Sequence, residues 1–131
     1  MIFRRNGETK YLLLHYESGH WDFPRGAIEL GENEKETVVR ETREETGITD
    51  LVFLPEFREK IFWFYKKEGK TIYKEVIFYL AETKTEKIAL SSEHIGFVWL
   101  PYEESLGQTT FKNGKEVLRK AHDFLVNHKY V

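Results

Sequence analysis

The chain contains no cysteine, three prolines and a single methionine among its 131 residues. The absence of cysteine excludes disulfides, thiolate nucleophiles and cysteine-bound zinc. No apolar run approaches the roughly 20 residues that cross a bilayer, and residues 1–5 lead into polar residues rather than into the apolar core of a secretory signal. We therefore expect a cytoplasmic protein with no membrane partner.

The chain also lacks a strong charge of either sign. Its formal net charge is −2, and its lysines and arginines are scattered along the sequence. This distribution provides no general attraction to DNA or RNA, so long nucleic acid is not an expected partner. A hydrophobic content of 40% argues against disorder, and the length is sufficient for a buried core. We predict one domain over residues 1–131; the sequence leaves the oligomeric state open.

Hydrophobic patterns predict an α/β protein with a mixed β-sheet. Strands are predicted at 10–16, 55–65, 71–81 and 95–100, with a turn over 19–24, a glycine turn over 66–70 and an amphipathic closing helix over about 113–127. Helices interspersed with hairpin strands favour an α/β/α sandwich, in which the sheet lies between helices.

A further helix is predicted from about residue 34 to 46. Asn33 is a suitable N-cap, Glu36 stands at the capping-box position, and Gly47 suits the left-handed residue that ends a helix. Because each residue advances a helix by about 100°, three of its glutamates share one arc. They are Glu41, Glu44 and Glu45, and the neighbouring arc, predicted to be buried, holds Val38, Val39, Thr42 and Thr46.

Two interpretations of this acidic face are open from the residues alone. It is a solvated helix face partly neutralised by Arg40 and Arg43, or it binds a hard divalent cation such as Mg²⁺, which prefers oxygen ligands. Taken alone, the stripe favours the solvated face. The residues around it favour the cation.

The surrounding pattern resembles the box of the Nudix hydrolase family, G-x5-E-x7-R-E-U-x-E-E-x-G-U, where U is a bulky aliphatic residue. It follows the turn Phe23-Pro24-Arg25-Gly26. Eight residues match the box: Gly26, Glu32, Arg40, Glu41, Glu44, Glu45, Gly47 and Ile48. Thr42 departs from it, at a position where the family has an apolar residue.

The resemblance implies a Nudix-type sandwich that hydrolyses a nucleoside diphosphate linked to another group, with Mg²⁺ or Mn²⁺. It implies metal binding by Glu41, Glu44 and Glu45, with a backbone carbonyl at the Arg25–Gly26 turn as a further ligand. Arg40 is expected to orient the carboxylates, and Glu32 and Gly47 to be structural. The number of metal ions and the identity of the general base stay open.

Outside the box, the chain resembles the branch of asymmetrical diadenosine tetraphosphate hydrolases, whose products are ATP and AMP. The segments that carry this resemblance are YLLLHY, GHWDFPRG, YKEVIFYL and SSEHIGFVWLPYEES. A tyrosine seventeen residues beyond the box is typical of that branch, and Tyr65 occupies this position. We expect Tyr65, with Tyr73 or Tyr79 from the next strand, to stack on adenine.

Three basic residues are predicted to contact phosphate. Lys74 shares a strand face with Ile72, Val76 and Phe78, where a lysine is costly unless it meets an anion. His20 and Arg25 are the other two. The branch usually has lysine at Arg25 and histidine at Ala27, so both positions depart from it.

Glu93 precedes the strand at 95–100, in a region where related enzymes place an extra glutamate. It is predicted as a metal ligand or a general base, with an ordinary loop glutamate as the alternative. The resemblance also places small residues upstream of Met1, which predicts a shortened first strand or an earlier start.

Alternative substrates keep the same chemistry: a nucleoside triphosphate, the 5′-triphosphate end of an RNA, or a diphosphoinositol phosphate. A hypothesis of another class is a binding protein: a Nudix sensor that binds nucleotides without cleaving them. Its usual signature is the loss of box glutamates, and all are present here.

Overall fold

The computed structural model describes residues 1–24 and 33–130. The elements in these residues are β1 (Ile2–Asn6), β2 (Glu8–Tyr16), β3 (Trp21–Asp22), α1 (Glu34–Thr46), β4 (Val52–Lys67), β5 (Lys70–Glu82), β6 (His94–Leu100), α2 (Tyr102–Gln108) and α3 (Lys112–Asn127). The predictions made for Arg25, Gly26, Ala27 and Glu32 lie outside the described residues. No helix in the described part of the chain is long and apolar enough to span a bilayer.

The strands form one mixed sheet in the order β3-β2-β1-β5-β4, and β6 also pairs with β2. β1 and β5 run parallel, with Ile2 opposite Ala81 and Phe3 opposite Glu82. The other described pairings are antiparallel. The mixed sheet is therefore confirmed.

The core lies on both faces of this sheet, because successive side chains of a strand point to opposite faces. Tyr11 and Leu13 of β2 belong to a cluster with the apolar stripe of α3, formed by Val117, Leu118, Ala121 and Leu125. Leu12 and Leu14 pack on the opposite side with Ile48, the second residue after α1. The sheet is thus covered by helices on both sides, which confirms the predicted α/β/α sandwich.

Two elements have short or weak local signals: β1 was expected only through the family resemblance, as a shortened first strand, and α2 was missed. β1 has five residues, of which only the first two are buried, and this is too short for a periodic pattern. α2 has seven residues and no side-chain cap at its first turn. The hairpin turn is also tighter than predicted: it contains only Glu68 and Gly69, both with positive φ, as a two-residue hairpin turn requires.

Helix α1 begins and ends where the sequence predicts. The Asn33 side chain accepts a hydrogen bond from the Glu36 backbone N–H at 2.8 Å, and the Glu36 carboxylate accepts one from the Asn33 N–H at 3.2 Å, which completes the capping box. At the other end Gly47 has φ 78° and donates to the Arg43 carbonyl. The capping prediction is confirmed.

The predicted buried stripe of α1 is wrong at Val39, which is 43% exposed. The prediction is confirmed at Thr42 and Thr46, which are buried together with Thr37 and Glu45. Short threonines face the interior because the helix lies close to neighbouring backbone: the Thr46 and Glu45 carbonyls accept hydrogen bonds from the N–H groups of Ala89 and Ser91.

Replacing Gly47 with alanine is expected to destabilise the protein for two reasons. The left-handed backbone costs about 1–2 kcal/mol for a residue with a Cβ, and the new Cβ would lie 3.2 Å from the Ala89 Cβ. Gly7→Ala is the matched control, because Gly7 has the same φ with open space around it. Urea unfolding should show a larger loss for Gly47→Ala than for Gly7→Ala; equal losses would contradict the close packing of α1 on Ala89.

Candidate active site

An acidic cleft of about 480 Å³ lies between α1 and β5. Five carboxylates line it: Glu34, Glu41 and Glu45 from α1, Glu75 from β5, and Glu93 from the segment before β6. The hydrogen bond from Ser91 N–H to the Glu45 carbonyl, at 3.3 Å, holds that segment against the helix. The structure therefore brings together three of the four glutamates predicted from the sequence.

The opposite wall of the acidic cleft is the edge of β5. Six consecutive residues, 74–79, line it. Because side chains of a strand alternate between faces, an uninterrupted run of this kind presents the strand edge itself. The cleft therefore reaches both faces of the β4–β5 hairpin. Lys74 lies in this run and is exposed, so the predicted phosphate-binding lysine is at the cleft rather than in the core.

Arg40 connects two of the predicted metal ligands. Its Nη1 lies 2.8 Å from Glu41 Oε1 and 3.1 Å from Glu44 Oε2. Glu45 is only 5% exposed, whereas the Glu44 side chain is 53% exposed and is not among the described residues that line the cleft. Arg40 is thus placed to orient carboxylates, and the ligand roles of all three glutamates stay predictions.

Within residues 1–24 and 33–130, no three carboxylate or imidazole groups are arranged to hold one metal ion as they stand. The carbonyl ligand predicted at the Arg25–Gly26 turn lies outside these residues. The carboxylate oxygens that line the cleft are the ligand type that Mg²⁺ and Mn²⁺ accept. In donor chemistry the residues fit such a cation.

The structure also reveals a network at the rim of the cleft that the sequence did not predict. The Glu34 carboxylate accepts hydrogen bonds from Arg58 Nε at 3.0 Å and Nη2 at 2.8 Å, and a further one from the Tyr79 hydroxyl. The hydrogen bonds from Arg58 and Tyr79 lower the pKa of Glu34 from 4.5 to about 2. This network attaches the first turn of α1 to both hairpin strands. No short-range pattern links residues 34, 58 and 79.

The lowered pKa of Glu34 predicts that this carboxylate contributes to stability in a pH-dependent way. Since the folded-state pKa is lower than the unfolded value, this contribution is fully present above pH 4.5 and is lost as the pH falls towards 2. Urea unfolding at pH 6 and pH 3 should therefore show a larger difference between wild type and Glu34→Gln at pH 6.

The control for this prediction is Glu116→Gln, which removes an exposed ion pair with Arg119 on α3 and should change stability little. A Glu34→Gln difference that stays constant between the two pH values would contradict the stabilised carboxylate.

The three tyrosines predicted to stack on adenine lie on different faces of the hairpin. The hairpin register places Tyr65 opposite Ile72 and Phe64 opposite Tyr73. Because side chains alternate, Tyr65 and Tyr73 lie on opposite faces of the hairpin and cannot stack on one base. Tyr79 lies on the face of Tyr73, is 9% exposed and binds Glu34 through its hydroxyl. The separate roles of these three tyrosines in substrate binding remain predictions.

A second cavity, of about 430 Å³ and here called the aromatic cavity, lies on the α3 side of the hairpin. Trp63 and Phe111 contribute its large aromatic walls, and Phe78 lines both this cavity and the acidic cleft. Sequence analysis missed Trp63 and Phe111. The available signal for Trp63 was its position two residues before Tyr65, which puts both rings on one face.

His20 lies between the two cavities. Its ring stacks on Tyr16 with centroids 4.6 Å apart, and it lies 5.2 Å from the Phe111 ring. Tyr16 lines the acidic cleft and Phe111 lines the aromatic cavity. The predicted phosphate contact of His20 is untested, but its position near both cavities is compatible with it.

Comparisons with known proteins agree with this arrangement. A family model for the NUDIX domain matches residues 1–121. The mouse protein named bis(5′-nucleosyl)-tetraphosphatase (asymmetrical) is 39% identical, over 95% of this chain and 91% of its own. The crystal structure of a Caenorhabditis elegans Ap4A hydrolase binary complex superposes with a TM-score of 0.84 at 31% identity, covering 96% of this chain and 93% of that one.

A more distant relative is named RNA pyrophosphohydrolase, from Nitratiruptor, and is 30% identical over 84% of this chain and 76% of its own. The family match covers most of the chain and includes the box glutamates on α1. The chain belongs to the Nudix hydrolase family.

Proposed function

We propose that this protein hydrolyses diadenosine tetraphosphate to ATP and AMP, with Mg²⁺ or Mn²⁺ as cofactor. The observation that carries the proposal is that two unlike cavities lie next to each other and share Phe78 as a lining residue. One is lined by carboxylates that suit a phosphate-bound cation, and the other by aromatic rings that suit a base. A nucleotide has these two parts next to each other.

The residues that would hold the cation are Glu41, Glu45 and Glu93 at the cleft, with Glu44 and the carbonyl at the Arg25–Gly26 turn added by the family box. A bound cation would neutralise phosphate charge and lower the pKa of an attacking water. Arg40 keeps Glu41 and Glu44 in place by direct ion pairs. Lys74 at the β5 edge is positioned to contact a phosphate oxygen.

Glu93 is a candidate for the general base or for a metal ligand. It is exposed and lies on the cleft wall opposite β5, so its carboxylate is accessible to water. In the proposed reaction it accepts the proton of the attacking water or binds the cation. Its role as ordinary loop glutamate is disfavoured by its position on the same cleft as Glu45.

The aromatic cavity would take one adenine. Stacking on an aromatic side chain is worth about 1–3 kcal/mol per base, and Trp63 and Phe111 offer two rings. Tyr65 lies one step further along the face of Trp63. This assignment moves the base-binding role from the tyrosine predicted by the box spacing to the tryptophan two residues earlier.

The names of the mouse and worm relatives support a dinucleoside tetraphosphate as the substrate. The relative named RNA pyrophosphohydrolase supports a second candidate, the 5′-triphosphate end of an RNA. The same cleft would serve that chemistry. A binding-only sensor has no support from the residues, because Glu41 and Glu45 both line the cleft.

Glu45→Gln tests the acidic cleft directly. Changes to residues that merely support metal ligands cost about 10–100-fold, so loss of a ligand should lower kcat for diadenosine tetraphosphate by more than about a hundredfold. The Mg²⁺ concentration needed for half-maximal rate should rise as well. Glu116→Gln, on the distant α3 surface, is the control. Unchanged turnover and Mg²⁺ dependence in Glu45→Gln would refute the metal assignment.

A further inference from the structure

Three exposed aromatic rings form a patch on the face of the hairpin that the aromatic cavity does not use. Phe62, Phe64 and Tyr73 are 58%, 63% and 50% exposed. Their rings are in contact, with centroid distances from Tyr73 of 5.8 Å to Phe62 and 5.3 Å to Phe64. We call these three residues the hairpin patch. Contiguous exposed apolar surface of this kind indicates a binding site more often than chance.

The hairpin patch is continuous with the acidic cleft. Tyr73 donates a hydrogen bond of 2.7 Å to Glu75, and Glu75 lines the cleft. Phe62 lies directly opposite Glu75 on the neighbouring strand, where paired side chains are about 4.5–5.5 Å apart. A ligand that leaves the cleft on this side of β5 therefore meets the patch first.

Basic side chains flank the hairpin patch along the same strand. Lys60 comes two residues before Phe62, and Lys66 comes two residues after Phe64. This spacing places all four side chains on one face of the strand. The Lys60 ammonium lies 3.4 Å from Glu75 and partly offsets its negative charge near the cleft. Aromatic rings between basic groups are typical of surfaces that stack nucleobases.

We propose that the hairpin patch binds the second nucleobase of a dinucleoside polyphosphate. The inference rests on the proposed function, and it follows from the way the cleft wraps around the edge of β5. The first base enters the aromatic cavity on one face of the hairpin, and the second stacks on Phe62, Phe64 and Tyr73 on the other. The hairpin would thus lie between the two nucleosides, with the phosphate chain across its edge.

The test compares a ligand with two bases and a ligand with one. Dissociation constants for diadenosine tetraphosphate and adenosine 5′-tetraphosphate would be measured by calorimetry, with Ca²⁺ replacing Mg²⁺ to limit turnover. Wild type should bind the dinucleotide about tenfold more tightly, as expected for one stacked base. The double variant Phe62→Ser, Phe64→Ser should lose this difference while its affinity for adenosine tetraphosphate stays within about twofold.

Val52→Ser is the control, because Val52 is 65% exposed on β4 but lies far along the strand from the patch. A wild-type protein that binds both ligands equally would overturn the inference, and so would a double variant that keeps the tenfold difference. A patch that instead mediates self-association would show loss of a dimer in sedimentation with unchanged ligand affinities, which also overturns it.

The two proposals can fail separately. Binding of the second base is measured without cleavage, so a protein that prefers the dinucleotide but does not hydrolyse it would support the patch and contradict the proposed reaction. A protein that hydrolyses the dinucleotide but binds it no more tightly than adenosine tetraphosphate would support the proposed reaction and contradict the role of the patch.

Discussion

The hydrogen bonds between the end of helix α1 and the segment before β6 determine the geometry of the acidic cleft. Ala89 and Ser91 donate to the carbonyls of Thr46 and Glu45, in the last turn of the helix, where carbonyls have no partner within the helix itself. Gly47 lets the chain turn away at that point. These contacts bring Glu93 to the cleft that Glu41 and Glu45 line. They therefore add the third of the predicted carboxylates to the cleft between α1 and β5.

The opposite wall depends on how far β1 extends along β5. The two strands pair only at the end of β5, at Ala81 and Glu82, and the Met1 ammonium donates to the Tyr79 carbonyl, so the residues before Tyr79 present an edge to the cleft. Glu34 and Arg58 then hold the first turn of α1 against the hairpin. A cleft built around a strand edge gives access to both faces of the hairpin, and each face carries its own aromatic rings.

Much of the fold could be predicted from local patterns, because these patterns are set by neighbours in sequence. The capping box at Asn33 and Glu36 and the left-handed Gly47 fixed the ends of α1 in advance. Local patterns did not indicate β1 or α2, because five or seven residues contain too few repeats of either period. Their positions depend on tertiary packing that no local pattern encodes.

The active site likewise has features that local spacing predicts and features that only the folded structure shows. The box placed Glu41 and Glu45 correctly on one side of a helix, since helical spacing alone brings them together. Spacing also selected Tyr65, which lies on the same face of the hairpin as Trp63, but only the folded structure shows that Trp63 lines the cavity. The Glu34–Arg58 pair joins residues from separate elements, so only the folded structure reveals it.

Product analysis in ¹⁸O-labelled water tests the central claim most directly. Diadenosine tetraphosphate would be incubated with the protein and Mg²⁺, and the products separated and weighed. The account predicts ATP and AMP, with the label in AMP, because water attacks the phosphate next to one adenosine. Two molecules of ADP, or no cleavage by a protein that does turn over nucleoside triphosphates or 5′-triphosphate RNA, would contradict it.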